Sequence, residues 1–239
     1  MQKLFIDFEP NGQITLNEEQ SRHIAKALRM KKGDMLTLTN GDGNDYGCQI
    51  NGISGGLVTL SVCYKQANNS EPSVKVTLYQ GVPKASKLED VIQKCTELGI
   101  AAICPTLTHR SVSRPDEKQA KKKGERYKKI ALEASQQSGR GIVPEIMDMT
   151  ELKKAVENDE SELKILFYEG GGESLKSIIP QDIKSVSVYI GPEGGFEESE
   201  IEAARGAGAV PITLGHRILR TETAGLTMLS ILMFELEED

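Results

Sequence analysis

The stretch "YIGPEGGFEESE", residues 189–200, decides how the chain is read. Val186, Val188 and Ile190 lead in as an alternating apolar strand, and Gly191, Pro192, Glu193, Gly194 and Gly195 follow as a tight loop. A helix-like run starts behind them. Strand, glycine loop and helix in that order is the usual plan of a phosphate cradle. This cradle is acidic, with Glu193 inside the loop and Glu197, Glu198 and Glu200 in the next turn. Two anions about 4 Å apart repel by roughly 1 kcal/mol in water and by several at a partly buried site. A phosphate is therefore disfavoured, and a ligand with a positive centre and an apolar ring suits the loop better. Glu197, Glu198 and Glu200 read as complements to the helix dipole. Glu193 stays open between a ligand contact and a brace of the loop.

On either side of this loop the chain alternates strand and helix. Val74-Val76-Leu78 reads as a strand. Ser86 to Glu89 reads as a capping box opening a helix that runs through Leu98 and stops at Gly99. Ile100 to Cys104 reads as a strand ending at Pro105, and Asp116 to Gln137 as a long helix with Gly124 within it. Leu163 to Tyr168, Val186 to Ile190 and Val210 to Leu214 read as strands, and Ala224 to Leu236 as an apolar helix. Such alternation predicts an α/β domain with a mostly parallel sheet, helices on both faces, and ligands outside the carboxyl ends of the strands. Three strands end in glycine: at 169–172, 191–195 and 215. One such loop is weak evidence, whereas three at one sheet edge make a site.

The first seventy residues have a different rhythm. Leu4 to Ile6 and Gln13 to Leu16 are short strands around the turn Pro10-Asn11-Gly12. Asn17 is a good N-cap for a helix to Met30. Met35 to Thr39 is a strand, and Tyr46–Ile53 pairs with Leu57–Tyr64 as a hairpin across Ser54-Gly55-Gly56. These features predict a small barrel-like module. The polar, aperiodic stretch Gln66 to Ser73 marks a boundary, giving domains at 1–70 and 73–239.

The chain has 239 residues, 38% of them hydrophobic and 27% charged, with a net charge of −6, enough for a packed core. No apolar run approaches the ~20 residues of a membrane span, and the early acid in the N-terminal segment argues against a signal peptide; a cytoplasmic location is expected. Cys48, Cys63, Cys95 and Cys104 form no C-x-x-C pair and read as buried reduced thiols. His23, His109 and His216 lack metal-ligand spacing, so no metal is expected. Lysines and arginines crowd 118–129 and 22–32. Each run reads either as a solvated helix face or as a contact for a polyanion.

The last motif is "LGHRILRTETAGLTML", residues 214–229. Arg217, Arg220 and Glu222 stand between a strand and an apolar helix that Thr221 or Thr223 can cap. Ile218 and Leu219 suit the walls of a ring-binding slot. Arg220 and Glu222 also admit a plainer reading, as an exposed ion pair.

Together "IGPEGGFEESE" (190–200) and "LGHRILRTETA" (214–224) resemble the RsmE family of 16S ribosomal RNA uridine-N3 methyltransferases, within the SPOUT superfamily. "KASKLEDVIQKCTELGI" (84–100), "RYKKIALEASQQSGR" (126–140) and "HIAKALRMKKGD" (23–34) look like the same family, so the resemblance covers nearly the whole chain. It implies a PUA-like β-barrel that helps hold RNA, followed by a SPOUT α/β domain with a deep trefoil knot. It implies S-adenosylmethionine bound in the knot, a homodimer, and methylation at N3 of one uridine, the m3U1498 position, in 16S rRNA of the small ribosomal subunit. Carried over motif by motif, the cofactor slot uses Tyr168, Glu169 and Gly170, then Gly191, Glu193 and Gly194, then Leu214, Ile218, Leu219, Thr223 and Ala224.

Uridine N3 is a poor nucleophile until its proton leaves and charge spreads to O2 and O4. The chemistry asks for positioning, help with the proton and a donor to the developing oxyanion. Arg220 is the expected oxygen stabiliser, and Glu222 or Glu193 the expected aid to proton removal, with a purely structural role open to both. The pairing edge must be unpaired or flipped out. Arg22, Arg29, Lys31, Lys84, Lys87, Arg110, Arg114, Arg126 and Arg140 are candidate RNA phosphate contacts. Two rivals stand beside this reading: a non-catalytic RNA-binding module with the same fold, and an enzyme of the superfamily acting on a ribose 2′-hydroxyl of transfer RNA.

Overall fold

A computed structural model describes residues 2–180 and 182–237. The chain divides into two compact units, Met1–Glu71 with Ser135–Val143, and Pro72–Ala134 with Pro144–Asp239.

In the first unit, β1 (Lys3–Phe5), β2 (Gln13–Thr15), β3 (Met35–Thr39), β4 (Asn44–Ser54) and β5 (Leu57–Ala67) form one sheet in the order β1-β3-β4-β5-β2. The two short strands flanking the Pro10-Asn11-Gly12 turn do not pair with each other: β1 joins β3 in parallel and β2 joins β5 antiparallel. The expected hairpin is present as β4–β5. Leu16, Ile24, Leu36, Leu38, Ile50 and Leu60 make a closed apolar core.

Asn17 caps α1 (Glu18–Arg22), its side chain accepting from the Gln20 N–H at 2.8 Å while Gln20 reaches back to the Asn17 N–H. The regular helix is shorter than the spacing predicts. From His23 to Ala27 the chain widens into a π-type turn, closed by the Leu28 N–H on the His23 carbonyl. Widening lets Leu28 and Met30 pack against the core. It leaves Arg29 at φ +54, a left-handed conformation that costs a side-chain-bearing residue about 1 kcal/mol or more.

The second unit is built on parallel strands. β6 (Lys75–Gly81) leads to α2 (Lys87–Glu97), β7 (Ala102–Leu107) and α3 (Glu117–Ser138). The short β8 (Glu145–Ile146) and β9 (Thr150–Glu151) precede α4 (Leu152–Asn158) and β10 (Leu163–Phe167). Then come α5 (Leu175–Ile178), β11 (Ser185–Ile190), α6 (Glu198–Gly206), β12 (Val210–Ile212) and α7 (Thr221–Leu236). Among the described residues the sheet runs β12-β10-β11-β6-β7-β8, with β9 also pairing β7. Every pairing is parallel, as the strand–helix alternation requires. Tyr79 of β6 stacks on Tyr189 of β11 at 4.6 Å between ring centroids, and the Tyr189 hydroxyl donates to buried Asp159 at 2.6 Å.

Two local expectations fail for identifiable reasons. Pro105 does not end β7 but lies inside it, opposite Gln80 of β6. Its missing N–H falls in the gap between β8, which pairs Ala102 and Ile103, and β9, which pairs Thr106 and Leu107. The Ser86–Glu89 capping box does not form either. Ser86 makes no side-chain cap bond, and the Glu89 carboxylate is taken by Arg126 at 2.6 Å. Of the four cysteines, Cys48, Cys95 and Cys104 are buried, but Cys63 is exposed. Among the described residues no helix is long and apolar enough to cross a membrane.

Residues 135–143 belong to the first unit rather than continuing the second, and two buried cations explain why. Lys3 Nζ is held by Asp45 at 2.8 Å and by the Gly139 carbonyl at 2.7 Å. Arg140, expected at the RNA surface, is instead buried: its side chain is 4% exposed and reaches Glu71 at 2.6 Å. Glu71 also accepts from the Gly141 and Ile142 N–H groups. Breaking one side of a buried, hydrogen-bonded pair is strongly destabilising. Arg140→Met should therefore lower stability by about 3 kcal/mol in urea denaturation, whereas Arg126→Met, at an exposed pair, should leave the urea midpoint nearly unchanged.

Candidate functional site

β12, β10 and β11 are adjacent and parallel, so their carboxyl ends release three loops at one edge. Residues of all three loops line one cavity of 760 Å³ in the second unit. That is ample for a nucleoside-sized ligand. Phe167, Ile190, Phe196, Ile218, Leu219 and Ala224 supply apolar wall, while Glu169, Glu193, Lys87, Arg217 and Arg220 supply charge.

Of the expected cofactor residues, Tyr168, Glu169, Gly170, Gly191, Glu193, Ile218, Leu219 and Ala224 line this cavity, and so does Arg220. Gly194, Leu214 and Thr223 are not on its wall. Gly194 is turned to Arg110, whose guanidinium donates to the Gly194 carbonyl at 2.8 Å. Thr223 is exposed, in the first turn of α7. Glu222 also lies off the lining and forms no pair with Arg220; it pairs with Lys87 at 3.3 Å.

The loops are held together by buried hydrogen bonds that the sequence did not disclose. Neither Thr221 nor Thr223 caps α7; Arg220 is the N-cap residue and makes no side-chain cap bond. The buried Thr221 hydroxyl donates to the Gly191 carbonyl at 2.6 Å and accepts from Gln80 Nε2 at 2.8 Å. Gln80, fully buried at the end of β6, also donates to the Gly81 carbonyl at 3.2 Å. Gly81 must lack a side chain, because a Cβ there would lie 2.5 Å from the Pro192 nitrogen. A polar residue followed by glycine at the end of an otherwise apolar strand was the available signal for this junction.

Glu193 is engaged by the protein itself. It accepts from the Lys84 N–H at 3.2 Å and from Lys87 Nζ at 3.1 Å. Burial works to raise its carboxyl pKa, but its own backbone N–H, Lys87 and the Lys84 N–H together outweigh burial and hold it below the ordinary value. Lys87 is held above its ordinary value, chiefly by the hydrogen bond to Glu193 and then by Glu222. Lys87 was expected as an RNA phosphate contact, yet it stands on the cavity wall between two carboxylates.

The remaining basic candidates separate into two groups. Arg110, Arg114 and Arg126 hold protein atoms: the Gly194 carbonyl, the Thr108 carbonyl and Glu89 respectively. All seven are exposed, and Arg22, Arg29, Lys31 and Lys84 differ in that their side chains hold no such protein acceptor among the described residues. Behind the central loop, Glu197 caps α6, and the buried Glu200 closes its capping box while accepting from the His109 N–H at 2.9 Å. His109 Nδ1 meets Glu197 at 2.8 Å; that bond, with the nearby Glu200 charge, raises the His109 pKa. Among the described residues no cluster of His, Cys, Asp and Glu is arranged to hold a metal.

Thr221→Val keeps the shape of the side chain but leaves the Gly191 carbonyl and one Gln80 proton without this partner in a buried place. A loss of about 1–3 kcal/mol in urea denaturation is expected, with Thr221→Ser retaining most of the stability.

Comparison with known proteins agrees with this geometry. An RNA methyltransferase domain model matches residues 69–233, and an RNA methyltransferase PUA domain model matches residues 16–63. The ribosomal RNA small subunit methyltransferase E of Bacillus subtilis is 36% identical, over 99% of this chain and 98% of its own. A protein from Legionella pneumophila, solved in complex with the bound cofactor SAM, superposes with a TM-score of 0.92 at 32% identity, covering 99% of this chain and 98% of that one. The ribosomal RNA small subunit methyltransferase E of Neisseria gonorrhoeae, bound to S-adenosyl methionine, gives 0.91 at 26% identity, with coverage of 99% and 98%. The chain belongs to the ribosomal RNA small subunit methyltransferase E family, with an RNA methyltransferase domain and a PUA domain.

Proposed function

We propose that this protein methylates N3 of one specific uridine of 16S ribosomal RNA, with S-adenosylmethionine held in the 760 Å³ cavity. The observation that carries the reading is the convergence of three strand-end loops on a cavity with apolar walls, glycine backbone at Gly170 and Gly191, and Arg220 at its edge. The residues suit the cofactor. Ile190, Ile218 and Leu219 offer faces for an adenine ring, the glycines allow close approach of backbone groups to its edge, and Glu169 offers an acid to a cationic centre. When bound, S-adenosylmethionine supplies an electrophilic methyl group on a sulfonium sulfur.

The protein's part is positioning and electrostatics. Arg220 is exposed on the cavity wall and its carbonyl receives the Thr223 and Ala224 N–H groups, which fixes its backbone. Its guanidinium donates to the uridine oxygen where charge collects as the N3 proton leaves. Glu222 and Glu193 are both engaged with Lys87, so we give them a supporting place around the reacting centre rather than the role of base. Of the candidate basic side chains, Arg22, Arg29, Lys31 and Lys84 are exposed and not engaged with a protein acceptor among the described residues, which leaves them available to RNA phosphates. The domain at 1–70 serves RNA holding and the domain at 73–239 catalysis, in a homodimer. We read the second domain as a SPOUT domain with a trefoil knot.

Nucleoside analysis of small-subunit RNA from cells lacking the protein tests the reading. A missing 3-methyluridine, restored by wild type, is expected; a missing ribose methyl, or no missing nucleoside, overturns it. Arg220→Ala should bind S-adenosylmethionine within about threefold of wild type while losing about 10²- to 10³-fold in turnover. Near-normal turnover removes Arg220 from the mechanism.

A further inference from the structure

Lys87 is the first residue of α2, Glu193 sits in the loop after β11, and Glu222 lies in the first turn of α7. One ammonium touches both carboxylates, at 3.1 Å and 3.3 Å. All three side chains are about one third exposed or less, in the range 26–31%. Each of the three segments contributes to the cavity: Lys87 itself, Pro192 with Glu193, and Arg220 with Thr221. Glu193 further ties down the backbone at Lys84.

We propose that Lys87 is a positioning residue for methyl transfer, an ionic clamp that limits how far the wall after β11 and the start of α7 sway about the Thr221–Gly191 tether. The proposal rests on the cofactor reading of this cavity. The two carboxylates meet across the single Nζ, so without that charge they repel, and the segments carrying Pro192 and Arg220 strain against the Thr221–Gly191 hydrogen bond and sway more widely. The cluster also solves an electrostatic problem. A bare lysine on this wall opposes a cationic cofactor; paired with two carboxylates, it leaves one net negative charge on the cluster. Lys87 therefore gives the wall rigidity without presenting a repulsive field to a sulfonium. An ammonium touching two acids on separate segments is stiffer than one exposed pair, because the side chain is ordered once for both contacts.

Calorimetry with S-adenosylmethionine and thermal unfolding of the full-length protein test the clamp. Lys87→Met is expected to weaken cofactor binding by about tenfold or more through loss of preorganisation. Lys87→Arg, which keeps the charge, should stay nearer to wild type. The decisive variant is Lys87→Met with Glu193→Gln: removing one carboxylate relieves the repulsion and recovers much of the lost affinity. A side chain that merely packed could not be rescued in this way. Equal affinity of Lys87→Met and wild type overturns the proposal, as does a double variant no better than Lys87→Met. Should Lys87→Met fail to fold, Glu222→Gln carries the test, with a smaller loss of affinity expected and an unchanged affinity overturning the clamp. Wild-type protein that binds no S-adenosylmethionine overturns the cofactor reading itself, and the clamp with it.

Discussion

The Thr221 hydroxyl is where a sheet becomes a site. Parallel pairing can align the ends of β10, β11 and β12, but it cannot fix loops that have left the sheet. Thr221 joins three of the pieces at once: the end of β6 through Gln80, the loop after β11 through the Gly191 carbonyl, and the start of α7 through its own backbone. The environment is buried, so these hydrogen bonds face little competition from water, and losing one partner strands the other. Gly81 permits the same closure sterically by letting Pro192 approach the backbone of β6. Arg220, one residue before Thr221, thereby starts from a fixed backbone although its side chain is exposed.

A second layer of contacts is ionic and nearer the solvent. Lys87 with Glu193 and Glu222, Arg110 on the Gly194 carbonyl, and His109 with Glu197 and Glu200 all grip the segments around the glycine loop. Exposed pairs of this kind contribute little to global stability. Their value is local, since each one restricts a loop already tethered from below. The division of labour is physical: buried hydrogen bonds decide where the loops sit, and half-exposed charges limit how far they sway.

Much of the fold was legible because it rests on local pattern. Strand–helix alternation gave the parallel sheet, Ser54-Gly55-Gly56 gave the β4–β5 hairpin, and glycines at three strand ends located the cavity. Several of the failures share one cause, which is that partners distant in sequence overrode the local signal. Glu89 left its capping box for Arg126, and Thr221 left the helix cap for Gly191. Pro105 continued a strand because β8 and β9 leave a gap beside it. Arg140 and Lys87 looked like surface cations, but Glu71 holds the first, and Glu193 and Glu222 hold the second. Charge type is written in the sequence, whereas the identity of the counter-ion is a product of folding.

The same distinction resolves the acidic glycine loop. Repulsion between a phosphate and free glutamates was the expected reason for excluding a nucleotide phosphate, yet Glu193 is engaged by Lys87 and the Lys84 N–H. Arg217, Arg220 and Lys87 also put positive charge on the wall, so net repulsion cannot be the main barrier. The stronger barrier is occupancy. A phosphate at a helix start needs unsatisfied N–H donors. At α6 the Glu197 side chain accepts from the third helical residue's N–H, and Glu200 accepts from the Glu197 and His109 N–H groups. The protein's own carboxylates sit where a phosphate would go. What the loop leaves free for a ligand is apolar wall and close-approaching glycine backbone, the surface that a phosphate-free nucleoside needs.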